Sequence, residues 1–330
     1  MRIIGIGNAL LDVLLCLESD SVLVEMGVKK GAMDLIDESR MREIQKAQSG
    51  LQRSEAPGGS VCNTMRAMAR LGADVGYIGK IGNDNIGKIY EEETKKAGVN
   101  PFFVRAEEIS GCSTVLISPD GERTMATYLG PAATLSDEEI SDEILHPYDC
   151  LYIEGYLISN EKLFLPMLKR AKRLGLKIAL DLSNFNIVNG FRDLLKEVIP
   201  EYVDILFSNE SEAQAYTGLS ACEAVNVISK DVEISVVTIG KDGVLVGDNN
   251  RIIHNPALDS NVLDTTGAGD NFAAGFLYGY SLGATSEQSA KIGTLLSANV
   301  IEVIGAQIPS ERWGKIKLNV EDILRKYAYN

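Results

Sequence analysis

A chain of 330 residues with 45% hydrophobic and 24% charged positions has the make-up of an ordinary globular protein, room enough for one large α/β domain or two smaller ones. Its formal charge of −14 argues against nucleic acid or an anionic membrane surface as a partner, since both call for a basic patch, but leaves a nucleotide admissible. Five scattered cysteines without a C-x-x-C pair, and two histidines (His146 and His254), favour free thiols in a reducing compartment over a disulfide framework, a zinc site or a Ser–His triad.

The amino terminus, MRIIGIGNALLD, is too broken by glycine and polar residues for a signal peptide, and no uncharged apolar segment reaches membrane-spanning length; the expectation is a cytoplasmic protein. Ile3–Ile6 opens a series of short apolar runs that read as buried strands, continued by Val75–Ile78, Cys150–Ile153, Lys177–Leu182, Val203–Phe207 and Ile234–Ile239. Amphipathic stretches at Thr64–Leu71, Ile86–Ala97, Leu163–Leu174 and Ser211–Tyr216 alternate with them. The alternation predicts an α/β fold, a mostly parallel central sheet flanked by helices on both faces. Residues 12–36 and 101–130 break the rhythm. In the second of these, CSTVLISPDGERTMATY predicts two strands about a Pro119-Asp120-Gly121 turn. Together the two regions predict a small β-sheet lid on a core formed by residues 1–11, 37–100 and 131–330. Ligands of such sheets collect at the carboxyl ends of the strands, and Gly7-Asn8, Ser183-Asn184, Ser208-Asn209-Glu210 and Gly240 all directly follow predicted strands.

Two glycine motifs are decoys. GIGNAL at 5–10 begins like a dinucleotide fingerprint, which would make the chain an NAD-binding oxidoreductase, but Leu10 stands where the third glycine belongs. GNDNIGK at 82–88 has P-loop spacing, yet Ile89 replaces the Ser or Thr that would hold magnesium, and Asp84 sits where phosphate would lie. A polar loop entering a helix accounts for it better.

The stretch DTTGAGDNFAAGF at 264–276 carries the most chemistry. A glycine turn runs directly into an apolar, helix-spaced segment, and a helix start offers unpaired N–H groups to an anion. Asp270 would repel a phosphate, which makes sense if it takes a proton from an attacking hydroxyl while the N–H groups hold the phosphoryl charge. The alternative is that Asp264 or Asp270 merely caps the helix.

PGGSVCNTMRAMARLG (57–72), NESEA (209–213), TIGKDGVLV (238–246) and DTTGAGDNFAAGF occur in this order. The set resembles the PfkB or ribokinase-like family of carbohydrate and nucleoside kinases over essentially the whole chain, and GIGNALLDVL is most similar to its adenosine kinase branch. The resemblance implies transfer of the γ-phosphate of ATP to a primary hydroxyl, with Mg²⁺ and with K⁺ as a further cation. A nucleoside acceptor, adenosine first, is expected; a free sugar is the alternative. The resemblance makes Asp270 the base and Gly267, Ala268 and Gly269 the anion hole. Asn8, Asp12, Gly58, Gly59 and Asn63 match positions that hold the acceptor's hydroxyls, and Glu154 a strand-end position that touches substrate in some family members. Arg123, at the lid turn, either reaches the phosphates or braces the closed lid. Asn209 and Glu212 match an N-x-x-E motif linked to magnesium and phosphate, and equally an N-capped helix start. Thr238, Gly240 and Gly243 match the nucleotide-binding strand and loop, although Lys241-Asp242-Gly243 could be only a hairpin turn. Asp264 and Thr266, with carbonyls near Val300, Val303 and Gly305, match a monovalent-cation loop. Met33, Phe102 and Phe103 either wall an aromatic base or pack as an apolar face. The expected assembly is a monomer or homodimer acting on a small molecule.

Overall fold

A computed structural model describes residues 1–47, 53–249 and 251–325. Nine strands form the main sheet, in the spatial order Arg251–Asn255, Val244–Asp248, Ile234–Thr238, Ile205–Asn209, Lys177–Asp181, Cys150–Glu154, Ile3–Ile6, Val75–Gly82 and Asn100–Ala106. All neighbours pair in parallel except at the first edge, where Ile234–Thr238, Val244–Asp248 and Arg251–Asn255 make an antiparallel meander. The interior strands are buried on both faces: Ile3–Ile6 and Cys150–Glu154 are buried at every residue. Their unbroken apolar runs follow from helices covering either side. One buried cluster unites Ile3, Met65, Tyr152, Phe207, Phe272 and Phe276, and the other unites Ile4, Ile6, Leu151, Phe164, Leu180 and Val198. These are the two faces of one sheet, with alternate residues of each strand going to opposite clusters.

The second sheet has five strands, ordered Met33–Leu35, Arg123–Tyr128, Gly111–Ile117, Leu10–Cys16 and Arg53–Pro57. The Pro119-Asp120-Gly121 turn joins two of them as expected: Gly121 takes φ 87° and its N–H donates to the Ser118 carbonyl at 2.8 Å.

The expected lid boundaries shift at two strands. Asn100–Ala106 pairs with Val75–Gly82 in the main sheet, because the helix Asn85–Lys96 carries the chain over in a parallel crossover. Phe103 accordingly meets the Tyr77 and Tyr90 rings at 5.9 and 5.6 Å, and Phe102 meets Tyr148 at 6.3 Å. Both rings thus pack as an apolar face against the core. Met33 starts the edge strand of the small sheet, and its side chain lies outside the described residues. Conversely, Arg53–Pro57, assigned to the core, pairs antiparallel with Leu10–Cys16 in the small sheet. Its sequence, RSEAP, is polar and carries no alternation to mark it as a strand. The region 12–36 also holds a short helix, Ser21–Glu25, that covers the small sheet with Leu23.

Both decoys resolve. GIGNAL leads from one strand into the next, Leu10–Cys16, with no helix start to seat a pyrophosphate. A Cβ on Gly5 would strike Val61, and one on Gly7 would lie 2.7 Å from Glu154, so these glycines serve packing. Asp84 caps the helix Asn85–Lys96, accepting from Gly87 N at 2.8 Å and from Ser110 N at 2.9 Å. All five cysteines are free thiols, and among the described residues no helix is long and apolar enough to cross a membrane.

Candidate active site

The helix Ala268–Ser281 starts where the chain leaves Gly267, held at φ 73°. A Cβ there would come within 2.6 Å of the Ala306 Cβ, so backbone and space both require glycine. Asp270 follows in the first turn. Its Oδ1 accepts from the Ser60 hydroxyl at 2.7 Å and its Oδ2 from Asn63 Nδ2 at 2.9 Å, while Thr64 Oγ1 donates to its carbonyl at 3.1 Å. Ser60, Asn63 and Thr64 lie at i, i+3 and i+4 on the helix Ser60–Leu71, hence on one face. Ser60 and Thr64 add to the positions expected from the sequence, and that spacing from Asn63 was their signal. Desolvation pushes the Asp270 carboxyl above its ordinary pKa, against the pull of Ser60 and Asn63. A raised carboxylate accepts a proton more readily, which suits a base. Gly269 meets no protein atom within 4 Å of where its Cβ would be. The helix start is thus an open cradle for a group bound at its N–H groups.

Asp12 faces this turn from the lid. Its carboxylate lies against Gly58, where a Cβ would collide with it, and Gly59, at φ 87°, brings the backbone against the Asn8 carbonyl. The Asp12 pKa is pushed up to about 7 by burial and by the Asp270 charge, with Arg123 and Arg66 opposing. Asn63 is 8% exposed and its Oδ1 is buried without a partner. An orphaned acceptor beside the base fits a hydroxyl donor that arrives with substrate.

Glu154 corrects an expectation. It is 1% exposed, and its oxygens are occupied by Asn8 N at 2.9 Å, Asn8 Nδ2 at 2.8 Å and Val61 N at 3.4 Å. It therefore holds Asn8 and the start of the helix Ser60–Leu71 in place and presents nothing to a substrate. Burial pushes its pKa up to about 7 despite the Asn8 and Val61 donors.

Along the strand ends, Asn209 and Glu212 form a reciprocal capping box. Asn209 N donates to Glu212 Oε2 at 2.8 Å, Asn209 Nδ2 to Oε1 at 2.7 Å, and Glu212 N to Asn209 Oδ1 at 2.9 Å. Asp181, absent from the expected set, ends the strand Lys177–Asp181 and accepts from Ser183 N at 2.7 Å and the Tyr152 hydroxyl at 3.3 Å. Burial and the charges of Glu212 and Asp270 push its pKa well up. The sequence held a signal for it, a carboxylate near the end of the run Lys177–Leu182, just ahead of Ser183-Asn184. Ser183 itself takes φ 65°, uncommon for a residue with a side chain. Asp181 closes a strand while Glu212 and Asp270 lie in the first turns of their helices, and among the described residues no group of three or more His, Cys, Asp or Glu side chains is placed to hold a metal ion by itself. Thr238 ends the next strand and donates to the Ser208 carbonyl at 3.4 Å. Gly240, at φ 58°, opens on space, whereas a Cβ on Gly243 would strike the Asn255 carbonyl. Gly243 is thus required by the hairpin turn itself.

Arg123 reaches from the lid to form an ion pair with Asp264, the two side chains being 16% and 9% exposed. Asp264 also accepts from Thr266 N at 3.0 Å and Gly305 N at 2.7 Å. Val303 N donates to the Val300 carbonyl at 3.1 Å. The two segments expected to hold a monovalent cation thus meet at Asp264, whose carboxylate is already paired with a guanidinium. The contact ties the small sheet to the turn that precedes the helix Ala268–Ser281.

Residues 29–313 match the family described as pfkB family carbohydrate kinase. An adenosine kinase from Sinorhizobium meliloti is 31% identical in sequence with a TM-score of 0.85, the likeness covering 96% of this chain and 98% of that one. A probable sugar kinase from Rhizobium etli CFN 42 is 30% identical with a TM-score of 0.86, over the same shares of the two chains. The adenosine kinase of Saccharomyces cerevisiae is 28% identical over 314 residues, 89% of this chain and 90% of that protein.

Proposed function

Because the chain belongs to the pfkB family of carbohydrate kinases, we propose that it phosphorylates the 5′-hydroxyl of a ribonucleoside, adenosine first, with ATP as donor. The observation that carries the reading is Asp270, clamped between Ser60 and Asn63 at the mouth of an open helix start. Asp270 accepts the hydroxyl proton as the new O–P bond forms and the γ-phosphoryl parts from the β-phosphate oxygen, leaving ADP. The backbone of Gly267, Ala268 and Gly269 receives the charge on the moving group. Asp12, Gly58, Gly59 and Asn63 hold the sugar hydroxyls, and Asn8, set by Glu154, completes their seat. A magnesium ion arriving with the phosphates would supply charge neutralisation, and Glu212, Asn209 and Asp181 are the residues that would hold it together with the phosphate oxygens. Exposed Leu258, Val262, Leu263 and Ile304, with Leu263 N bonded to the Ile301 carbonyl at 2.8 Å, offer an apolar seat for the nucleotide base. Closure of the lid by Arg123 keeps water from the phosphoryl group. A potassium ion at Asp264, Thr266, Val300, Val303 and Gly305 would require Arg123 to release Asp264 first.

The adenosine kinase relatives favour a nucleoside; the probable sugar kinase of similar likeness favours a second reading, a free pentose or hexose. A panel of nucleosides and sugars followed by ADP release and product mass separates them. The proposal expects adenosine to give the highest kcat/KM. Turnover of ribose or fructose without adenosine turnover overturns it.

A further inference from the structure

A cavity of about 270 Å³ lies behind the catalytic base, between the helix Ser60–Leu71 and the segment Ala306–Trp313. Asn63, Arg66, Arg70, Asn271, Gln307 and Trp313 are among its lining residues. We propose that this cavity is a second, non-catalytic site for a small oxyanion.

Charge points to an anion. Arg66 and Arg70 stand one helical turn apart, so they share a face of the helix Ser60–Leu71. Neither forms an ion pair with a described carboxylate, in a chain of net charge −14 where acidic partners abound. Arg66 instead spends its terminal nitrogens on neutral acceptors, the Pro57 carbonyl at 3.0 Å and Gln307 Oε1 at 3.0 Å. Its Nε is buried without a partner. A buried guanidinium N–H with no acceptor is costly to keep, and an oxyanion is its natural complement.

The space suits a compact ligand: it exceeds the share of one water, about 30 Å³, several times over. Asn63 also lines the cavity and gives its Nδ2 to Asp270, so an occupant would sit one side chain away from the base.

Calorimetric titration of the full chain with inorganic phosphate tests the site, with and without a non-hydrolysable ATP analogue and adenosine filling the catalytic cleft. The proposal expects saturable phosphate binding that survives filling of the cleft and is weakened by about tenfold or more in Arg70→Met and Arg66→Met. Sulfate, with the same tetrahedral set of negative oxygens, should displace phosphate from the same site. Arg70 is exposed, so its variant should fold even where Arg66→Met does not. Absence of saturable phosphate binding, or affinity unchanged in Arg70→Met, overturns the site. These outcomes do not depend on which alcohol the kinase phosphorylates.

Discussion

Replacing Asp270 by Asn tests the proposed base with little disturbance to the fold. The substitution keeps an acceptor for the Ser60 hydroxyl, now 2.7 Å from Oδ1, and exchanges the oxygen facing Asn63 for an amide. That amide can donate to Asn63 Oδ1, which has no partner in the wild-type protein, once the Asn63 amide turns over. Both hydrogen bonds thus survive as neutral ones, and a desolvated charge is removed. Stability should change by no more than about 1 kcal/mol in either direction. An amide cannot accept the hydroxyl proton, so turnover should fall by about 10²–10⁴-fold, equivalent to about 2.7–5.4 kcal/mol of barrier. Single-turnover transfer to adenosine measures the chemical step, while ATP-analogue affinity and the thermal midpoint report on the rest. Near wild-type turnover would refute the base assignment. Loss of folding or of nucleotide binding would show instead that the carboxylate is structural. The raised pKa adds a second check: transfer should decline on acidification, beginning above the ordinary aspartate range.

Gly269→Ala adds a methyl group where no protein atom lies within 4 Å, so stability should hold or rise by up to about 1 kcal/mol while kcat/KM for ATP drops; unchanged kinetics would remove the backbone from the anion hole. Glu154 binds its proton more tightly folded, at about 7 against an ordinary 4.5, so the stability it contributes is fully present below about 4.5 and is lost as pH rises through about 7. Glu154→Gln should flatten that dependence in urea unfolding and raise KM for the acceptor through a loosened Asn8; an undiminished slope would rule the carboxyl out as its source. Arg123→Gln should unlatch the lid, so that ADP release exceeds phosphorylated product; strict one-to-one coupling would show that the Asp264 ion pair does not govern closure.

Much of this was legible in the residues themselves. Strands buried on both faces leave unbroken apolar runs, so Ile3–Ile6, Cys150–Glu154 and Ile234–Thr238 could be read from periodicity, and a parallel α/β sheet followed. The turn at Gly267–Asp270 was readable because its chemistry is local: glycine backbone, helix start and carboxylate are contiguous in the chain. Sequence also exposed both decoys, through the missing third glycine and through Asp84.

Only tertiary structure decided what depends on residues far apart in the chain. The clamp on Asp270 joins side chains separated by some two hundred positions, and although Ser60 shares a helix face with Asn63, nothing local tells what that face meets. Glu154 looked like a strand-end contact until the fold buried it against Asn8 and Val61. Strand membership escaped periodicity too, since period-2 alternation records which face is covered and not which neighbour pairs. Hence Asn100–Ala106 went to the main sheet and the polar Arg53–Pro57 to the lid. The pairing of Arg123 with Asp264 is the same lesson in charge: each residue has a plausible role alone, and only the fold brings the small sheet against the turn that carries Asp264.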